Sequence, residues 1–132
     1  MSLKYVQNVF NRGGFMKTAI IGSRNITNVD LSRFIPVGTT EIVSGGARGV
    51  DTVAKEYANR NGLKLTEFLP DYERFGRGAP LKRNITIIEN ADIVLAFWDG
   101  KSRGTKFVID NCHRRNIPIK IYLAPDFVQM AE

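Results

Sequence analysis

Glu41-Ile42-Val43-Ser44-Gly45-Gly46-Ala47-Arg48-Gly49-Val50-Asp51 decides the fold. It opens as a short apolar strand and stops at Gly45-Gly46. A helix follows, with Val50, Val53, Ala54, Tyr57 and Ala58 on one face at helical spacing. Gly62 closes that helix as a C-terminal cap. The glycines Gly45, Gly46 and Gly49 let the backbone turn tightly and approach a ligand without side-chain obstruction. The free N–H groups and partial positive charge at the start of the helix suit phosphate. Ala47 sits within the turn, and Arg48 adds a cation. Asp51 has two readings: it holds amides of its own turn, or it touches a ligand ribose.

The same alternation of strand and helix runs outward on both sides. Thr18 to Ile21 is a buried strand ending in Gly22-Ser23-Arg24. Asp30 precedes a short helix, Leu31 to Ile35, which Pro36 ends. Lys64 to Leu69 alternates apolar and polar residues as a third strand. Asp71 to Pro80 reads as a loop, and Leu81 to Asn90 as a helix. Ile93-Val94-Leu95-Ala96-Phe97-Trp98 is a continuous apolar run, suited to a central parallel strand covered on both faces. Arg103 to Asn116 is helical, and Ile117 to Leu123 is the last strand. The expected architecture is α/β: a single Rossmann-like three-layer domain with a five-stranded parallel sheet in the order 3-2-1-4-5. Strands one and four then flank the switch point where such sheets bind ligands.

The 132 residues fit one domain, assigned to residues 16–125, with 126–132 as a C-terminal tail. Residues 1–15 read as a leader or arm, and Met16 as the natural start. The net charge of +6 favours anionic partners such as nucleotides or nucleic acid. Cys112 is the only cysteine, so no internal disulfide forms, and a cytoplasmic location is expected. Cys112 and His113 are too few for a structural zinc site, and no metal is expected. No apolar run reaches the roughly 20 residues of a membrane span.

Three loops meet at the predicted switch point. Gly22-Ser23-Arg24 follows strand one, the glycine turn follows strand two, and Lys101-Ser102-Arg103-Gly104-Thr105 opens the helix after strand four. Ser102 or Thr105 either caps that helix or binds phosphate beside its amides. Trp98 and Asp99 end the central strand close by. A site for a phosphate-containing ligand is therefore expected.

Four motifs together carry a resemblance: Gly22-Ser23-Arg24, Gly45 to Asp51, Lys82-Arg83-Asn84 and Ser102-Arg103-Gly104-Thr105. In this order they resemble SLOG proteins, Rossmann-like binders of nucleotide ligands, and in particular the YspA-type, YpsA-related SLOG family. The resemblance spans residues 17 to 123. It implies a nucleotide or ADP-ribose-like ligand rather than a tightly held cofactor, with Arg83 and Asn84 joining the site, and a homodimer as a modest expectation. More distantly, the chain is similar to the Lonely Guy phosphoribohydrolases. There Arg83 matches an active-site arginine, Gly104 and Thr105 match a Gly-Thr pair, and Val108 stands where that family has its catalytic glutamate. Valine transfers no proton, so the resemblance implies binding more than catalysis. The chain is also similar to the DNA-processing protein A family, through Gly22-Ser23-Arg24, Gly46 to Asp51 and Arg83 to Ile87, which implies single-stranded nucleic acid as an alternative partner.

Overall fold

A computed structural model describes residues 15–131. Its sheet is built from β1 (Lys17–Gly22), β2 (Glu41–Ser44), β3 (Lys64–Glu67), β4 (Ile93–Trp98), β5 (Ile119–Leu123) and β6 (Val128–Gln129). The strand order is β3-β2-β1-β4-β5-β6. The first five strands are parallel in the expected order, and β6 pairs antiparallel with β5. The sheet thus has six strands, not five. The sixth escapes sequence reading because Val128 and Gln129 are only two exposed residues with no alternation to mark them. They lie in the stretch read as a tail. Of the stretch read as a leader, residues 1–14 lie outside the described residues.

The helices are α1 (Val50–Arg60), α2 (Tyr72–Phe75), α3 (Ala79–Glu89) and α4 (Arg103–Arg115). The stretch Asp71 to Pro80 is therefore not a loop. The Asp71 side chain accepts the Arg74 amide, which starts α2, and a 3-10 turn over Gly76–Gly78 leads into α3. Pro80 lies in the first turn of α3, where its missing N–H costs nothing. The short helix expected from Leu31 to Ile35 is a 3-10 turn, Leu31–Arg33, started by Asp30.

Strand alternation divides the core. Ile20, Ile42, Leu95 and Phe97 face one side and pack with Val50, Ala54 and Ala58 of α1. Ala19, Ile21, Val43, Val94 and Ala96 face the other side, against Ile87 and Ile88 of α3 and Val108, Ile109 and Cys112 of α4. Both faces of β1 and β4 are covered, which is why all six residues of Ile93–Trp98 are apolar. Each large apolar side chain buried this way contributes about 1.5–3 kcal/mol. Phe34 meets Phe97 edge-on at 5.4 Å and Tyr122 at 4.6 Å, and Phe127 joins them at 5.9 Å from Phe97. The rigid sheet places the carboxyl ends of β1, β2 and β4 at one edge, with the first turns of α1, α3 and α4 around them.

Candidate functional site

At that edge lies an open cleft of about 420 Å3. Its apolar floor includes Ile21 at the end of β1 and Ile87 of α3. All four motifs contribute to its walls: Gly22, Ser23 and Arg24; Ala47 and Asp51; Arg83 and Asn84; Ser102, Gly104 and Thr105. A Cβ on Gly22 would stand 2.8 Å from the Phe97 carbonyl oxygen, so only glycine lets β1 turn there against β4.

The start of α4 is built to leave its amides open. Asp99 Oδ1 accepts the amides of Lys101 at 2.8 Å and Ser102 at 2.7 Å. Those two bonds fix the loop and hold the Asp99 carboxyl below its ordinary value, the Ser102 amide most strongly. Ser102 takes the N-cap position, yet its side chain accepts from no helix amide; its Oγ lies 3.3 Å from Thr105 Oγ1. Its carbonyl accepts Trp98 Nε1 at 3.1 Å and the Lys106 amide at 3.2 Å. The first-turn amides of Arg103, Gly104 and Thr105 thus receive no acceptor from the described residues. Ser23, fully buried, accepts the Asp99 amide through Oγ at 3.2 Å and so ties the β1 loop to the β4 loop.

Across the cleft, Arg83 is half-buried. Its Nη1 donates to the Gly45 carbonyl at 2.6 Å and the Phe68 carbonyl at 3.2 Å, and its Nε to Asn84 Oδ1 at 2.8 Å. Burial pulls the Arg83 guanidinium below its ordinary value, and the Asp51 carboxylate opposes that. Asp51 Oδ2 accepts the Ala47 amide at 3.0 Å, the turn-holding role read from the sequence. Burial pushes the Asp51 carboxyl up, against the Ala47 amide and the Arg83 charge. The Ser44 hydroxyl lies close enough to pull on Asp51, yet it is fully buried and makes no hydrogen bond of ordinary geometry.

Several expected residues stand outside the lining. Gly45 and Gly49 work from behind it. A Cβ on Gly45 would sit 2.6 Å from Arg83 Nη1, and one on Gly49 would overlap the Arg24 carbonyl. Gly46, Arg48 and Arg103 are exposed and do not face the cleft. Asn25, Pro80, Leu81 and Asp99 line it, although the motifs did not include them. Asp99 carried a readable signal: an acidic residue at the end of the central strand, two and three residues before the amides it accepts. Val108 is fully buried in the core, and Asp110 pairs with Lys106 at 3.0 Å on the outer side of α4. Glu89 pairs with Arg115, and Asp92 accepts the Lys17 amide at the opposite edge of the sheet. The carboxylates lining the cleft are therefore Asp51 and Asp99. No metal-holding cluster occurs among the described residues, and no helix among them is long and apolar enough to cross a membrane.

The model of the YspA, cpYpsA-related SLOG family matches residues 30–75. The chain belongs to this family. The SLOG match holds β2, the glycine turn, α1 and β3, and so contains Ala47 and Asp51 of the cleft. The chain is also similar to the Gene 61 protein of Mycobacterium phage D29, with 36% identity over 84 residues, covering 59% of this chain and 67% of that protein. No solved structure matches significantly.

Proposed function

We propose that this SLOG domain binds a nucleotide or nucleotide derivative in the cleft between β1 and β4, with the ligand phosphate at the start of α4. The observation that carries this reading is the uncapped first turn of α4 opening beside Gly104 and Thr105, in a cleft that also holds Arg24 and Arg83. Free helix amides and the positive helix end favour an anion there. Two guanidiniums add charge, and Arg24 is exposed at the cleft, with a planar fork that suits a phosphate. Leu81, 40% exposed at the cleft wall, provides an apolar surface for a base. Val108 at the position of the phosphoribohydrolase glutamate supports binding over hydrolysis.

Thermal unfolding with a panel of mononucleotides, dinucleotides, ADP-ribose and short oligonucleotides tests the reading. A ligand at 100 times its Kd stabilises the folded state by about 2.7 kcal/mol. Arg24→Ala removes one charged contact and should lower the affinity of the best ligand at least tenfold while leaving unliganded stability within about 0.5 kcal/mol. A panel without any stabilising nucleotide, or Arg24→Ala binding as tightly as the parent, would overturn the assignment.

A further inference from the structure

The cleft carries both signs of charge. Arg24, Arg83 and the start of α4 are cationic, and two carboxylates stand among them, Asp51 beside Arg83 and Asp99 beside the loop that opens α4. A ligand that is anionic throughout, such as inorganic phosphate or a polyphosphate, is attracted by the one set and repelled by the other. A ligand with an anion at one end and neutral hydrogen-bond donors a short distance away satisfies both. Asp99 is the carboxylate prepared for such donors. A carboxylate has about four lone-pair sites. The amides of Lys101 and Ser102 occupy two of them, both on Oδ1. Oδ2 accepts no amide of ordinary geometry from the described residues; the buried Ser23 hydroxyl also pulls on the carboxyl, and Oδ2 is left to hydroxyl donors of a ligand, of which a vicinal diol supplies two. The amides that lock Oδ1 also hold the plane of the carboxyl, so little side-chain entropy remains to be lost on binding. Asp51 is less suited, because it is buried beneath the glycine turn and committed to Ala47. Asp99 and Ser102 are three residues apart, so a diol at Oδ2 and a phosphate at the amides of α4 lie within the reach of one ribose 5′-phosphate unit.

Resting on the nucleotide reading above, we infer that the ligand is a ribonucleoside 5′-phosphate whose 2′,3′-diol is held by Asp99 Oδ2, which makes Asp99 the residue that distinguishes ribose from deoxyribose. The carboxylate is ionised at neutral pH, because the Ser102 and Lys101 amides favour its charged form. A deoxyribose offers Asp99 one hydroxyl donor fewer than a ribose does.

The test measures Kd by titration calorimetry for the four common ribonucleoside 5′-monophosphates and their 2′-deoxy counterparts, on the parent and on Asp99→Asn. Asparagine keeps an oxygen for the two loop amides but presents an N–H2 where Oδ2 stood. The parent should prefer the best ribonucleotide over its deoxy form by about tenfold or more. In Asp99→Asn that ratio should fall to near one, chiefly through weaker ribonucleotide binding. Circular dichroism and the fluorescence of Trp98, whose indole is bonded to the Ser102 carbonyl, report whether the loop is intact in the variant. The parent's ratio needs no variant and stands as a measurement by itself. Equal affinity of the parent for both series overturns the ribose assignment and leaves nucleotide binding in place. Absence of binding in both series overturns the ribose assignment together with the nucleotide reading. A preference that survives unchanged in Asp99→Asn removes Asp99 from the diol.

Discussion

Gly49→Ala is the smallest change that should damage the site from behind. Gly49 has φ +73° and ψ −126° at the N-cap of α1, a region that L-residues avoid. Holding alanine there costs roughly 1–3 kcal/mol. The added Cβ also overlaps the carbonyl of Arg24, a main-chain atom that no rotamer change can move. The loop after β1 must shift, at roughly 1–3 kcal/mol for overpacking of this kind. Together the loss is about 2–6 kcal/mol, a large part of the roughly 5–15 kcal/mol of a typical domain. The comparison is Gly104→Ala in the first turn of α4, where a Cβ meets nothing within 4 Å and the backbone is helical. There alanine should stabilise by about 0.4–1 kcal/mol, because it lowers the entropy of the unfolded chain. Urea unfolding followed by circular dichroism gives both values. The same one-carbon change should therefore move the midpoint in opposite directions at the two positions. If Gly49→Ala lies within about 1 kcal/mol of the parent, the close approach of the Arg24 loop to α1 is not what requires glycine.

Arg83→Ala should destabilise by about 2–4 kcal/mol, since the Gly45 and Phe68 carbonyls lose a charged donor, and Arg83→Lys should recover only part of this; urea midpoints within 0.5 kcal/mol of the parent, as an order of magnitude for a surface change, would contradict it. Asp51 has a carboxyl raised above its ordinary 3.8, so the folded state holds its proton more tightly than the unfolded state. Its contribution to stability is then greatest below pH 3.8 and declines as pH rises through the folded value, so Asp51→Asn should be more stable than the parent at pH 7 and lose that advantage in acid. Tm measured across pH decides this, and a variant less stable at pH 7 shows that the Arg83 attraction outweighs burial. Burial pushes the Cys112 thiol up to about 12, so a disulfide reagent at pH 8, a condition well below that value, should titrate it only after urea is added. Prompt reaction of the folded protein would place Cys112 nearer the surface than the core packing puts it.

The parts of the fold that repeat a physical pattern were legible in the sequence. Ile93–Trp98 announced a doubly covered strand, and Glu41 to Asp51 announced strand, turn and helix, so the order of the five parallel strands followed. The parts set by single contacts were not. Asp71 to Pro80 looked like a loop because its glycines and arginines mask two helical turns that one Asp71 hydrogen bond starts. In the candidate site, sequence position showed which loops converge at the sheet edge but not which side chains turn inward. The positive φ of Gly46 carries that residue and Arg48 outward, while Ala47 and Asp51 turn in. Asp99 was half legible: its acidic side chain at the end of the central strand could be read, but not that the amides of both Lys101 and Ser102 turn back to it.

The short β6 strand has a consequence for how molecules of this protein meet one another. Phe127, at φ 57°, sends its ring into the cluster of Phe34 and Phe97, and so pins the chain where Val128 and Gln129 lie along β5. Without that pairing β5 would offer an apolar row of open backbone groups, the template on which sheets from neighbouring molecules add together. The two-residue strand covers its carboxyl-terminal part, Ile121 to Leu123, leaves only Ile119 and Lys120 beyond it, and is itself too short to recruit another. The opposite edge, β3, is only four residues long and carries Lys64 and Glu67 at its ends. A sheet with both borders guarded in this way resists growing strand by strand into aggregates, even at high protein concentration.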